Sequence, residues 1–106
     1  MSDKVGLFIV FWAAPGKLDA LLEAVSTMMA AVRLESGTLA YGFHRVSGER
    51  GEGVAVYELY ESPEAQRIHG ESAAINALRP RLAELIGAAP ERYQLGPVSG
   101  SKGLPF

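Results

Sequence analysis

Two residues in the stretch VYELYESPEAQRIHG (56–70) are of the types that move protons: Glu58 and His69. Glu58 stands in the middle of an aromatic, strand-forming run. A carboxylate is costly there unless that face is wet or the charge has a partner. His69 follows about two turns after Ser62-Pro63, which reads as a helix start: a side-chain oxygen to cap the first N–H groups, then the residue pre-set for the first helical position. An imidazole beside a carboxylate is the elementary acid–base unit, because the negative charge favours the protonated ring. The same residues also allow a plainer arrangement. In it His69 ends a short helix by bonding a carbonyl before Gly70, and Glu58 pairs across strands with Arg45. On strand parity Glu58 shares a face with Val56 and Tyr60, away from Tyr57 and Leu59.

Tyr41 and Tyr60 could hydrogen-bond a ligand oxygen or stack on a ring, although strand tyrosines commonly pack in cores. A symmetric turn between the second and third strands puts Ala40, Gly42 and His44 on the face of Glu58. The two small residues would leave room for a flat ligand, and Tyr41 would then lie on the opposite face. A slip of one residue reverses that assignment, and a Gly-rich turn does not fix the register. Trp12 is either a cavity wall or a core or dimer contact, and His44 either a ligand or an ordinary strand residue. The glycines of SGERGEG precede a strand and not a helix, so they form no phosphate cradle. With no cysteine, and two histidines 25 positions apart, no metal-ligand spacing is present and no metal is expected.

The elements that must position these groups follow from periodicity. Val5 to Ala13 is a continuous apolar run, the pattern of a strand buried on both faces. Leu18, Leu21, Leu22, Val25, Met28, Met29 and Val32 recur at helical spacing, predicting one long amphipathic helix from about Lys17 to Leu34 with Gly37 as its C-cap. Thr38–Val46 and Gly53–Glu61 read as a hairpin around the polar SGERGEG turn. The helix begun at Ser62 is interrupted by Gly70. A second segment turns Ile75, Leu78, Leu82, Leu85 and Ile86 inward, and Pro80 is expected to kink or split it. Glu91–Leu95 is a fourth strand, and residues 96–106 form an irregular arm beyond a core of about 5–95.

The order β-α-β-β-α-β predicts an α+β, ferredoxin-like domain with an antiparallel sheet. Helices then cover one sheet face only, yet the first strand is apolar on both. A second copy packed sheet to sheet is the economical cover, which predicts a homodimer.

Composition limits the remaining classes. The chain has 106 residues, enough for a single domain, and a net charge of −2 with its basic residues scattered. That argues against nucleic-acid or anionic-membrane partners. The N-terminal MSDKVGLFIVFWAAPG imitates a short signal peptide. Asp3 cancels Lys4, however, and Pro15 falls where cleavage would occur, so a strand and a cytoplasmic location are expected.

Three stretches, PGKLDALLEAV, LESGTLAYGFHR and VYELYESPEAQRIHGES, resemble the antibiotic biosynthesis monooxygenase (ABM) family of the dimeric α/β-barrel superfamily. The likeness spans roughly residues 5–86. It implies a small homodimer that forms an α/β barrel and needs no flavin, haem or metal cofactor. It also implies oxidation of quinols, anthrones or related polyphenols by O2. On that reading His69 takes a phenolic proton with Glu58 beside it, and the residues weighed above, Tyr60, Tyr41, Trp12, His44 and Gly42, are the substrate-binding candidates. Other proteins of this fold degrade haem, isomerise small signalling molecules or have no known activity. The haem-degrading relatives carry an asparagine on the first strand that this chain lacks. A non-catalytic dimer binding a small apolar metabolite also fits the sequence.

Overall fold

The structure, a computed structural model, describes residues 3–106. The elements are β1 (Val5–Trp12), α1 (Leu18–Ser26), α2 (Met28–Val32), β2 (Thr38–Gly48), β3 (Gly51–Tyr60), α3 (Pro63–Gly70), α4 (Ala73–Leu85) and β4 (Glu91–Leu95). The four strands form one antiparallel sheet in the order β2-β3-β1-β4. This is the α+β, ferredoxin-like arrangement expected from the element order. Among the described residues no helix is long and apolar enough to cross a membrane.

The core lies between the helices and one sheet face. Leu21, Ala24, Val25, Met28 and Val32 of α1 and α2 pack with Val54 and Val56 of β3 and with Leu78 and Leu82 of α4. The long first helix predicted from periodicity is divided at Thr27. Thr27 Oγ1 donates to the Ala24 carbonyl at 2.6 Å and Ser26 Oγ to the Leu22 carbonyl at 2.6 Å. Adjacent hydroxyls competing for helical carbonyls bend or end a helix. The apolar stripe continues across the break, which is why its spacing alone did not disclose it. Pro80, by contrast, does not divide α4, which runs unbroken from Ala73 to Leu85. Both Pro80 and Asn76, whose carbonyl loses its partner, belong to exposed residues where water can serve instead.

Gly37 is not a left-handed cap. Its role is close approach: a Cβ at this position would stand 2.6 Å from Ala65 Cβ in α3. Its carbonyl accepts from the Glu61 N–H at 2.9 Å. The segment between α2 and β2 is thereby pressed against α3.

The β2–β3 hairpin sets the geometry of the site. The strands run through the SGERGEG segment to a two-residue tip, Glu49–Arg50, with Gly48 paired to Gly51 and Gly51 at φ 102°. Tyr41 therefore lies opposite Glu58, and Gly42 opposite Tyr57. A turn centred on Arg50 would have paired Gly42 with Glu58, so the true register differs by one residue from the symmetric expectation. On the other sheet face, Val10, Ala55 and Leu59 are buried in the single chain. The arm after β4 helps: Pro97, Val98, Leu104 and Phe106 flank a hollow with Gly6, Tyr57 and Leu59. Phe8, Trp12 and Tyr57 on that face are half-buried.

Candidate active site

Among the described residues, two polar side chains are buried: Glu58, 2% exposed, and His69, 5% exposed. Burial without partners would cost each several kcal/mol, so their partners define the site. Strand parity points Glu58 and Tyr60 of β3 and Tyr41 of β2 at the helices. Ser62 caps α3 by accepting from the Ala65 N–H at 3.1 Å, and α3 delivers His69 one turn beyond Ala65.

His69 Nδ1 lies 2.8 Å from Glu35 Oε1. A carboxylate only accepts, so Nδ1 carries the donated proton, and Nε2 makes no hydrogen bond with another described residue. Thr38 Oγ1 donates to the same Glu35 oxygen at 2.8 Å, a second bond that holds the carboxylate in place. His69 Nε2 is 3.8 Å from Glu58 Oε1, too far for a direct hydrogen bond. Glu58 Oε1 instead accepts from the Tyr60 hydroxyl. The His69 ring sits 5.3 Å from that of Tyr41 and 5.6 Å from that of Tyr60, centre to centre.

Burial pushes the Glu58 carboxyl above the usual carboxylate range; the Tyr60 hydroxyl, His69 and Arg92 pull it back in part, and Glu35 adds to the rise. Burial, followed by the field of Glu58, also raises Tyr41 and Tyr60 well above an ordinary phenol, so both remain neutral donors. Glu58 thus holds its proton to higher pH than a free glutamate. Such displaced acids in a cleft mark candidate sites of chemistry.

These groups line a cavity of about 90 Å³, whose walls are otherwise apolar: Leu7, Ile9, Phe11, Val25, Met28 and Val56, with Leu78 and Leu82 of α4. At about 10–15 Å³ per water position, that is room for several waters or one substituted aromatic ring. Gln66, Arg79 and Arg92 stand at its polar rim. Among the described residues no three His, Asp or Glu side chains converge as a metal-binding group.

Four of the residues singled out from sequence meet here: His69, Glu58, Tyr60 and Tyr41. Three do not. Gly42 and His44 pair with Tyr57 and Ala55 on the opposite sheet face, and His44 is exposed. The one-residue difference in hairpin register accounts for both. Trp12 pairs with Gly53 on that same far face, where its Nε1 donates to Glu91 Oε1 at 3.2 Å. Arg45, the alternative partner of Glu58, lies opposite Val54 and is exposed. Glu35 was missed altogether. It sits in the irregular segment after α2 and touches a residue 34 positions away. Its one sequence signal is an acid two positions before Gly37, the glycine that lets this segment meet α3.

A ferredoxin-like domain enclosing a buried His–carboxylate pair in an apolar cavity is the class that fold and site define. The sequence profile of the family described as Antibiotic biosynthesis monooxygenase matches residues 5–81, most of the chain. The protein belongs to that ABM family. Among solved structures, a protein of Caulobacter crescentus assigned to the antibiotic biosynthesis monooxygenases superposes with a TM-score of 0.83 at 26% identity, covering 92% of each chain. Rv0793 of Mycobacterium tuberculosis does so with a TM-score of 0.80 at 23% identity, covering 90% of this chain and 95% of its own. PA3566 of Pseudomonas aeruginosa gives 0.81 at 22% identity, over 93% and 98% respectively. No curated protein is similar enough to match.

Proposed function

We propose that the protein is a cofactor-independent monooxygenase that oxidises a quinol or related phenol with O2, and that His69 is its base. The observation that carries this reading is the buried His69, tied through Nδ1 to Glu35, with Nε2 unbonded at an apolar cavity the size of one ring. A phenol and an ordinary imidazole differ by about 3.5 pKa units, roughly 5 kcal/mol against transfer. Glu35 offsets part of this by holding a negative charge against the imidazolium as it forms. The Tyr41 hydroxyl makes no hydrogen bond with another described residue and is the donor free to meet the developing phenolate oxygen.

The chemistry balances without a cofactor. Nε2 takes the phenolic proton, and the electron-rich ring gives electrons to O2. A carbon–oxygen bond forms at a ring carbon, and the resulting hydroperoxide loses water. One oxygen atom remains as a quinone carbonyl; the other leaves as water with the ring hydrogen and the proton returned by His69. The apolar walls keep bulk water from this intermediate.

The test is O2 uptake with a panel of reduced single-ring quinols and no added cofactor, against heat-treated protein as the autoxidation baseline. Uptake above baseline that collapses in His69→Ala is expected. Wild-type protein indistinguishable from baseline across the panel would overturn the oxygenase reading and favour a binding protein.

A further inference from the structure

The polar groups at the rim of the cavity are satisfied by one another, with one exception. Gln66 of α3 and Gln94 of β4 exchange two side-chain hydrogen bonds, at 3.1 and 2.9 Å, closing one side of the opening. Arg79 is spent on its own surroundings, donating to the Gly70 carbonyl at 2.8 Å and to Asn76 Oδ1 at 2.5 Å. Arg92 also lines the cavity, from the helix side of β4 two residues before Gln94. It makes no hydrogen bond or ion pair with any described residue. Its charge acts on the buried Glu58, pulling that carboxyl back toward the ordinary range.

An exposed guanidinium without a partner among the described residues, at the rim of a cavity that is apolar elsewhere, is a ready receptor for a planar anion, since its fixed fork of donors matches a carboxylate. The sheet gives the spacing. Arg92 lies opposite Ile9 and Glu58 opposite Leu7, on the strands either side of β1. Two strand spacings and a two-residue offset along the sheet separate them, roughly 12 Å of backbone. The long side chain of Arg92 shortens the gap to what a single ring with a polar group at each end can span.

We propose that the substrate is an acidic single-ring phenol, a hydroxyaryl carboxylate, whose carboxylate is held by Arg92 while its hydroxyl faces His69. This rests on the reading of His69 given above and adds the substrate class to it. Arg92 sets specificity and takes no proton, so its effect belongs to binding.

Calorimetric titration under argon tests this without turnover, using 2,5-dihydroxybenzoate and uncharged hydroquinone as paired probes. Wild-type protein should bind the carboxylate probe about ten- to a hundredfold more tightly than hydroquinone. Arg92→Gln should abolish that preference with hydroquinone affinity unchanged, and Arg92→Lys should restore it only in part. Equal affinities in the wild type, no binding of the carboxylate probe, or a preference that survives Arg92→Gln would each overturn the proposal. The oxidation reading fails separately. A carboxylate preference without O2 uptake leaves the Arg92 site standing and removes the activity, whereas O2 uptake on hydroquinone without the preference does the reverse.

Discussion

Replacing Glu35 by glutamine separates the charge of this residue from its shape. The amide oxygen can still accept the His69 Nδ1 proton and the Thr38 hydroxyl, so the ring keeps its orientation. What disappears is the negative charge 2.8 Å from Nδ1, on a side chain only 15% exposed and so poorly screened by water. A hydrogen bond to a charged group contributes about 1.5–3 kcal/mol, a neutral one about 0.5–1.5. The resting ring already meets this charge, but the imidazolium meets it more strongly. An added contribution of about 1–1.5 kcal/mol as the ring becomes cationic is a transition-state term of about tenfold in rate. Oxygen-uptake kinetics of Glu35→Gln should therefore show kcat down about tenfold and KM little changed, with Tm within a few degrees of the parent. Unchanged kcat would refute the role of the Glu35 charge in stabilising the protonated base. A fall in kcat that merely tracked loss of folded protein would reduce it to a structural contact.

Glu58→Gln should change how stability depends on pH. The folded-state pKa of Glu58 is raised above its ordinary value of 4.5. Its contribution is therefore fully present below that value and is lost as pH rises through the folded pKa. Melting curves of variant and parent should lie closest near pH 4 and diverge above it in favour of the variant; parallel curves would show that Glu58 is not held above its usual range. Gly37→Ala forces a Cβ to within 2.6 Å of Ala65 Cβ and should destabilise by about 1–3 kcal/mol, read as a lower urea midpoint, whereas an unchanged midpoint would deny the close approach. Phe8, Trp12 and Tyr57, half-buried on the helix-free face, call for a second copy. Light scattering should give about twice the chain mass of 11.3 kDa, and the monomer mass would count against the dimer.

The fold was legible in the sequence because its signals are local. The apolar run of β1, the Ser62-Pro63 helix start and the spacing of Leu78 and Leu82 each depend on neighbours a few positions away. The departures came from side-chain competition at Ser26 and Thr27, which the apolar stripe ignores, and from solvent serving the turn at Pro80. The site was half legible. Glu58 and His69 stood out because an acid in the middle of an aromatic strand run and an imidazole two turns after a clear helix start both demand partners. Tyr41 was uncertain and Gly42 and His44 misplaced for one reason: a hairpin whose tip holds two residues, not three, turns every side chain of β2 to the other face. Glu35 lay beyond local reasoning, since its contact with His69 exists only after Gly37 has packed against α3.

The central claim is that His69 takes the proton of a bound phenol. Its most direct test is the difference spectrum of 4-nitrophenol, a phenol acidic enough for an imidazole to deprotonate, at a pH where the free probe is neutral, with wild-type protein and with His69→Ala. The wild type should produce the red-shifted band of a phenolate on binding, and the variant should bind the same probe as the neutral phenol. An equal phenolate band in both proteins would contradict the account by placing the base elsewhere, with Glu58 the first residue to examine.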